Sequence, residues 1–242
     1  MYTKAKYILA GDQYIVIEFG DTISIDIHKK VRGLYLTLQQ YDSEKVVEVI
    51  PTYRSLLVQY NPLMISASKL INEIQVLEEN LKDLQLPKPK IFKIPVLYGE
   101  EFGPDLDFVA QHNRLTPQEV IDIHSGRDYL IYMLGFTPGF CYLGGMSKKI
   151  VTPRLKEPRT CIPAGSVGIA DKQTGIYPID SPGGWRLIGR TPIKLFDPQN
   201  EVQPILLKAG DYIRYYSITR DEYKQISKAV DEGIYQVEIL EE

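Results

Sequence analysis

The sequence predicts an α+β protein in two parts: an amino-terminal α/β sandwich-like domain over residues 1–88 and, over residues 89–242, a turn-dense β domain that reads as a compact barrel or sandwich. Three observations lead there. The first 85 or so residues alternate paired β-prone runs with amphipathic helical stripes in the order ββαββα. The segment Leu86-Pro87-Lys88-Pro89-Lys90 then interrupts the pattern, because two prolines forbid a continuous helix and the charges favour exposure. From Arg127 to Arg190 proline- and glycine-rich turns recur too often for long helices, with Val, Ile, Tyr, Trp and Phe filling the intervals.

Taken in order, YILA and YIVIEF flank Gly11-Asp12-Gln13 as a hairpin. Ile23, Ile27, Val31, Leu34 and Leu38 recur at three and four residues and form one helical stripe, ended by Tyr41-Asp42-Ser43. VVEVI and SLLVQY are the next strand pair. Ser66 is a cap candidate for a second stripe of Leu70, Ile71, Ile74, Leu77, Leu81 and Leu84. Each amphipathic element must bury its apolar side, so both helices are expected on one face of a sheet.

In the second domain IFKIPVLY reads as the first strand, and Pro104 is placed to start a short helix in EEFGPDLDFVAQHN. Thr116-Pro117-Gln118-Glu119 is a capping-box start for a further helix that Gly126 can end. EVQPILLKAGDYIRYYSI supplies two strand candidates around Ala209-Gly210-Asp211. RDEYKQISKAVDEG is helical, with Gly233 as its stop.

The net charge of −3 gives no global positive field for nucleic acid. Cys141 and Cys161 lack metal-ligand spacing and read as reduced thiols. The amino terminus has no sustained apolar core and no later stretch approaches a membrane span, so a soluble cytoplasmic protein is expected.

Candidate chemistry falls into three groups. His112 and His124 share a neighbourhood with Glu101, Asp105, Asp107 and Asp122, where an imidazole beside a carboxylate can act as acid or base, or can hold two short helices against the barrel. Arg154, Arg159, Arg186 and Arg190 are suited to bidentate recognition of a carboxylate or phosphate if the strands bring them together; surface pairing with glutamates is the alternative. Phe136, Phe140, Tyr142 and Trp185 can wall an apolar site or pack a core. GSVGIA lacks both the GxxxxGK[ST] and GxGxxG patterns, and no zinc motif is present, so no metal site is expected.

The blocks EFGPDLDFVAQHN, YMLGFTPGFCYLGG, PRTCIPAGSVGIA, QTGIYPIDSPGGWRLIGRTP and LFDP together resemble the 5-oxoprolinase B-component (PxpB) family, also called the KipI or allophanate hydrolase subunit 1 family, over almost the whole chain. The resemblance implies that the second domain, residues 89–242, is a cyclophilin-like β-barrel. It also implies a hetero-oligomer with the C and A components of 5-oxoprolinase that converts 5-oxo-L-proline, ATP and water into L-glutamate, ADP and phosphate. ATP, with magnesium, would be a cosubstrate of the complex, with no cofactor held tightly by this chain alone.

The positions matching the family pattern form a candidate groove. Glu101, Asp105, His112 and Asn113 make a helical rim, followed by Phe136, Phe140, Arg154 and Arg159, and then by Gln173, Thr174, Tyr177, Ser181, Trp185 and Arg190. Arg154, Arg159 and Arg190 are the expected substrate- or phosphate-binding residues. His112 and Asp105 are catalytic candidates without an assigned role. Cys141 stands where the family pattern has a proline or small residue, which weakens a cysteine-nucleophile reading. Fold alone does not carry prolyl isomerase activity over. The alternative function implied by the KipI resemblance is inhibition of a sporulation histidine kinase.

Overall fold

The computed structural model describes residues 1–81 and 85–241 and divides into two compact units, Met1–Pro87 and Lys88–Glu242. Unit one has the order β1 (Lys6–Leu9), β2 (Tyr14–Glu18), α1 (Ile25–Leu38), β3 (Val46–Pro51), β4 (Ser55–Tyr60) and α2 (Ala67–Asn80). Its antiparallel sheet runs β1-β2-β4-β3, because the crossover through α1 carries the chain to the far edge and β4 returns into the middle. Ile15 and Ile17 of β2 and Leu56, Val58 and Tyr60 of β4 alternate inward. There they meet Ile27, Val31, Leu34 and Leu38 of α1 and Leu70 and Ile74 of α2 in one core. Each such side chain contributes roughly 1.5–3 kcal/mol on burial.

The hairpin turn places Gly11 at φ 69°, where glycine is free of Cβ strain. Ser66 caps α2 as expected, accepting from the Lys69 amide. Ile23 departs from its expected stripe: it precedes the Ser24 cap of α1 and is 57% exposed. Leu84, the last member of the second stripe, lies outside the described residues.

Unit two comprises β5 (Lys90–Tyr98), α3 (Leu106–Asn113), α4 (Pro117–Ser125), β6 (Asp128–Leu134), β7 (Cys141–Gly144), β8 (Arg159–Ile162), β9 (Ser166–Ala170) and β10 (Gln173–Ile176). It continues with β11 (Ser181–Gly183), β12 (Arg186–Arg190), β13 (Tyr212–Ser217), α5 (Arg220–Asp231) and β14 (Ile239–Glu241). The main sheet runs β10-β9-β12-β5-β13-β6-β7. Its outer strands β7 and β10 come side by side, which makes a nearly closed β-barrel. This is the α+β architecture with a cyclophilin-like barrel that the sequence implied.

β5 is the strand that holds the barrel together. One edge pairs parallel with β13 from Ile91 to Val96, while the other is shared between β14 near Phe92 and β12 near Tyr98. Ile94, Val96, Tyr129, Ile131, Val167, Ile169, Ile188 and Tyr215 fill the interior. β8 and β11 form a separate ribbon.

The Thr116–Glu119 capping box is present on α4, Gly126 is its C-cap, and Gly233 follows α5 at φ 72°. Two expectations are corrected. EVQPILLKAGDYIRYYSI supplies one strand, β13, with only an isolated bridge between Phe196 and Ile205 before it; Pro204 in that stretch has no amide to donate to a ladder. Pro104 lies outside α3, with Asp105 at the cap position. Asp105 makes no side-chain cap bond, because its carboxylate is used elsewhere. Gly103 is required by close approach, since a Cβ there would sit 2.1 Å from the Ile188 carbonyl oxygen. Among the described residues no helix is long and apolar enough to cross a membrane.

Candidate functional site

A cavity of about 370 Å³ opens on the second unit, walled by aromatic rings from three separate chain segments. Phe140 stands edge-on to Trp185 at 5.5 Å, to Tyr177 at 5.6 Å and to Tyr142 at 5.2 Å between ring centres. Edge-to-face packing fixes these rings relative to one another. Gly175 of β10 lets the indole lie close, since a Cβ there would be 3.2 Å from Trp185 and 3.4 Å from Phe140. Phe136 stands at the mouth, 62% exposed and at φ 67°. A non-glycine residue in the left-handed region costs energy and persists where surrounding structure enforces it, as at ligand clamps. The enforcing turn is visible here: Gly135 donates to the Phe140 carbonyl and Phe140 to that of Thr137.

The polar lining is sparse: Arg154, Asp171 and Gln173. Arg154 is exposed and, among the described residues, makes no ion pair and no side-chain hydrogen bond. Its field reaches Tyr177, whose hydroxyl is pushed up by burial while a Trp185 backbone hydrogen bond, Arg154 and Arg159 pull the other way. Asp171 sits in the β9–β10 turn at φ 51°, tied to Thr152 by a two-way backbone bridge. The sequence reading missed Asp171. The signal available was Asp171-Lys172 between the β-prone runs SVGIA and QTGIY, a two-residue hairpin turn.

Behind the aromatic wall, Asp105 is a hub. Its side chain is 10% exposed, and it accepts from Arg159 Nη2 at 2.9 Å and from the Leu187 amide at 2.7 Å, with Arg186 at 3.7 Å. Arg159 also donates to the Trp185 carbonyl at 3.2 Å. The cluster therefore anchors α3 to β12 and fixes the backbone that carries the indole.

The four arginines thus occupy distinct environments. Arg154 faces the cavity, whereas Arg159 and Arg186 are bound to Asp105, and Arg186 also covers the Phe108 ring at 3.7 Å. Arg190 lies over Phe102 at 5.5 Å, as does Arg220 at 5.4 Å. Arg220 also binds Glu100 and, at 2.6 Å, Glu101, and its hydrogen bond to Glu101 chiefly holds that carboxyl below its usual range. The structure therefore sets Arg190 and Glu101 outside the cavity.

The other groove candidates also divide. Phe136, Phe140, Gln173, Tyr177 and Trp185 line the cavity. His112 is exposed on α3 and stacks on Phe108 at 6.0 Å, apart from the Asp105 hub. Asn113 donates to the Val109 carbonyl and to Thr152 Oγ1, which is a structural role. Thr174 points into the barrel, where its hydroxyl meets His124. The Ser181 hydroxyl is buried without a hydrogen-bond partner among the described residues.

His124 is fully buried, between Tyr98 on Nδ1 and Thr174 on Nε2, each at 2.8 Å. Because Thr174 donates its only hydroxyl proton to the Gly168 carbonyl, Nε2 must carry the imidazole proton and Nδ1 must accept from Tyr98. Burial, with Arg127 adding to it, drives the His124 pKa down to about 3, so the ring is neutral and structural. Burial likewise pushes the Cys141 thiol up to about 12, the opposite of nucleophile activation. Among the described residues no group of three His, Cys, Asp or Glu side chains could hold a metal ion. The arrangement is suited to binding a small ring with one anionic group, and among the described residues no histidine, cysteine, serine or threonine lines the cavity.

The carboxyltransferase domain model, subdomains C and D, matches residues 5–207. The chain is 45% identical over 224 residues to the B component of 5-oxoprolinase from Bacillus subtilis (strain 168), covering 88% of this chain and 92% of that protein. Among solved structures, PH0987 from Pyrococcus horikoshii is 46% identical, with TM-score 0.54 over 90% of this chain and 100% of that one. TTHA0988 is 32% identical with TM-score 0.75 over 86% of this chain, which spans only 40% of TTHA0988.

Proposed function

The chain belongs to the 5-oxoprolinase B-component family, and from that premise we propose that it serves as the B component of an ATP-dependent 5-oxoprolinase, working with the A and C components and inactive alone. The overall conversion opens a lactam, whose amide resonance resists water. Phosphorylation of the lactam carbonyl oxygen activates the carbonyl carbon; a first water adds there and the C–N bond breaks, the ring nitrogen leaving as the amine, and a second water cleaves the resulting acyl phosphate to the carboxylate and free phosphate. This chain's part is to bind and orient an anionic partner of that reaction.

The observation that carries the reading is the cavity: a single uncommitted guanidinium, Arg154, at the mouth of an aromatic box, with no histidine, cysteine, serine or threonine among the described residues that line it. Arg159 and Asp105 act as positioning residues through the Trp185 backbone. A magnesium–triphosphate does not fit these residues, because the described lining offers one free cation against the Asp171 carboxylate and the sequence has no phosphate loop. In this reading the cavity takes the lactam side of the reaction, and the nucleotide belongs to the assembled complex.

The test is reconstitution. The purified chain is expected to release neither glutamate nor phosphate from 5-oxo-L-proline and ATP, whereas the assembled A, B and C components release both in step. If the assembly makes no glutamate while this chain suppresses autophosphorylation of a sporulation histidine kinase stoichiometrically, the kinase-inhibitor reading replaces this one.

A further inference from the structure

We propose that the aromatic cavity is the seat of the five-membered lactam acid itself, with the ring held against Trp185 and Phe140 and the carboxylate on Arg154. The proposal rests on the 5-oxoprolinase reading above and goes beyond it: it assigns the lactam, and not the nucleotide, to this chain. The volume of about 370 Å³ is near the lower end for ligand pockets and suits a small ring with a few waters. Flat walls of fixed aromatic rings match the apolar methylene face of a five-membered ring.

The charges decide between candidate ligands. Arg154 offers a planar fork of donors with no competing carboxylate bound to it among the described residues, the geometry that a ligand carboxylate accepts bidentately. Asp171, whose carboxylate makes no ion pair among the described residues, offers an acceptor for the lactam N–H. One free cation and one free anion around an apolar box complement a monoanion that also carries a donor. A phosphate chain with several negative charges would meet Asp171 without a second free guanidinium, since Arg159 is bound to Asp105.

Trp185 is the only tryptophan in the chain, so its emission reports the cavity directly. Titrating the purified chain with 5-oxo-L-proline is expected to give a saturable change in that emission. Arg154→Gln is expected to weaken it roughly tenfold or more, because a charge-assisted contact is lost. 2-Pyrrolidinone, which keeps the ring and lacks the carboxylate, should bind weaker by a similar factor. ATP should not compete, and Lys224→Gln on the exposed face of α5 should bind as the parent does. Absence of a saturable response to 5-oxo-L-proline overturns the proposal, as does equal affinity of Arg154→Gln or displacement of the lactam by ATP at comparable concentration. Glutamate formation by the assembled complex without a Trp185 response rejects the seat and leaves the 5-oxoprolinase reading standing. A lactam response in a chain whose assembled complex makes no glutamate upholds the seat and rejects that reading.

Discussion

Asp105→Asn removes the charge that ties two arginines and a strand amide to the start of α3, and the structure sets the size of the loss. The carboxylate accepts two short hydrogen bonds, from Arg159 and from the Leu187 amide, with the Arg186 guanidinium close by. Removing one partner of a buried ion pair costs about 3–5 kcal/mol. The Arg159 side chain is 29% exposed and regains some solvation from water, and asparagine keeps one acceptor oxygen, so about 2–4 kcal/mol is expected. For a unit of this size that lowers the melting temperature by roughly 4–16 °C. Calorimetry, together with urea unfolding followed at Trp185, measures it. A cycle with Arg159→Gln should show coupling of about 1 kcal/mol or more, since the residues share the bond. If Asp105→Asn leaves stability within about 0.5 kcal/mol while the assembled complex loses turnover, Asp105 is an acid or base and the anchoring argument is wrong.

Acidification is a second test. His28 and His124 have pKa values depressed to about 4 and about 3, chiefly by burial, so the native state refuses protons that the unfolded chain accepts below about pH 6.5. Their stabilisation is complete above that pH and falls toward the folded values by about 1.4 kcal/mol per pH unit for each histidine. Urea unfolding between pH 7 and 5 should show that slope, and a flat profile contradicts the buried, neutral assignment. At the cavity, Gly183→Ala would place a Cβ 2.4 Å from the Tyr177 hydroxyl and 2.7 Å from Ile162 Cδ1. It is expected to displace Tyr177, shift the Trp185 emission of the free chain and weaken lactam binding at least tenfold; unchanged emission and affinity would show that the wall yields without consequence.

What the sequence determined by itself was local. β-prone runs marked β2 and β4, three-to-four-residue apolar spacing marked α1 and α2, and Thr116-Pro117 with Glu119 marked the start of α4, because residue preference, hydrophobic periodicity and capping chemistry act within a few residues. The resemblance blocks carried the barrel and the family, and the aromatic set Phe136, Phe140, Tyr142 and Trp185 was legible as a wall. Only the tertiary structure decided which arginine is free. Arg154, Arg159 and Arg190 look alike in sequence, yet the packing of α3 on β12 brings Asp105 onto Arg159, a residue 54 positions away, and carries Arg190 to Phe102. The neutrality of His124 depends on Tyr98 and Thr174, and the barrel depends on β5 pairing with β13 across more than a hundred residues. Such contacts are selected by the closing of a common core, where burial and hydrogen-bond satisfaction are settled together, so no short window of sequence encodes them.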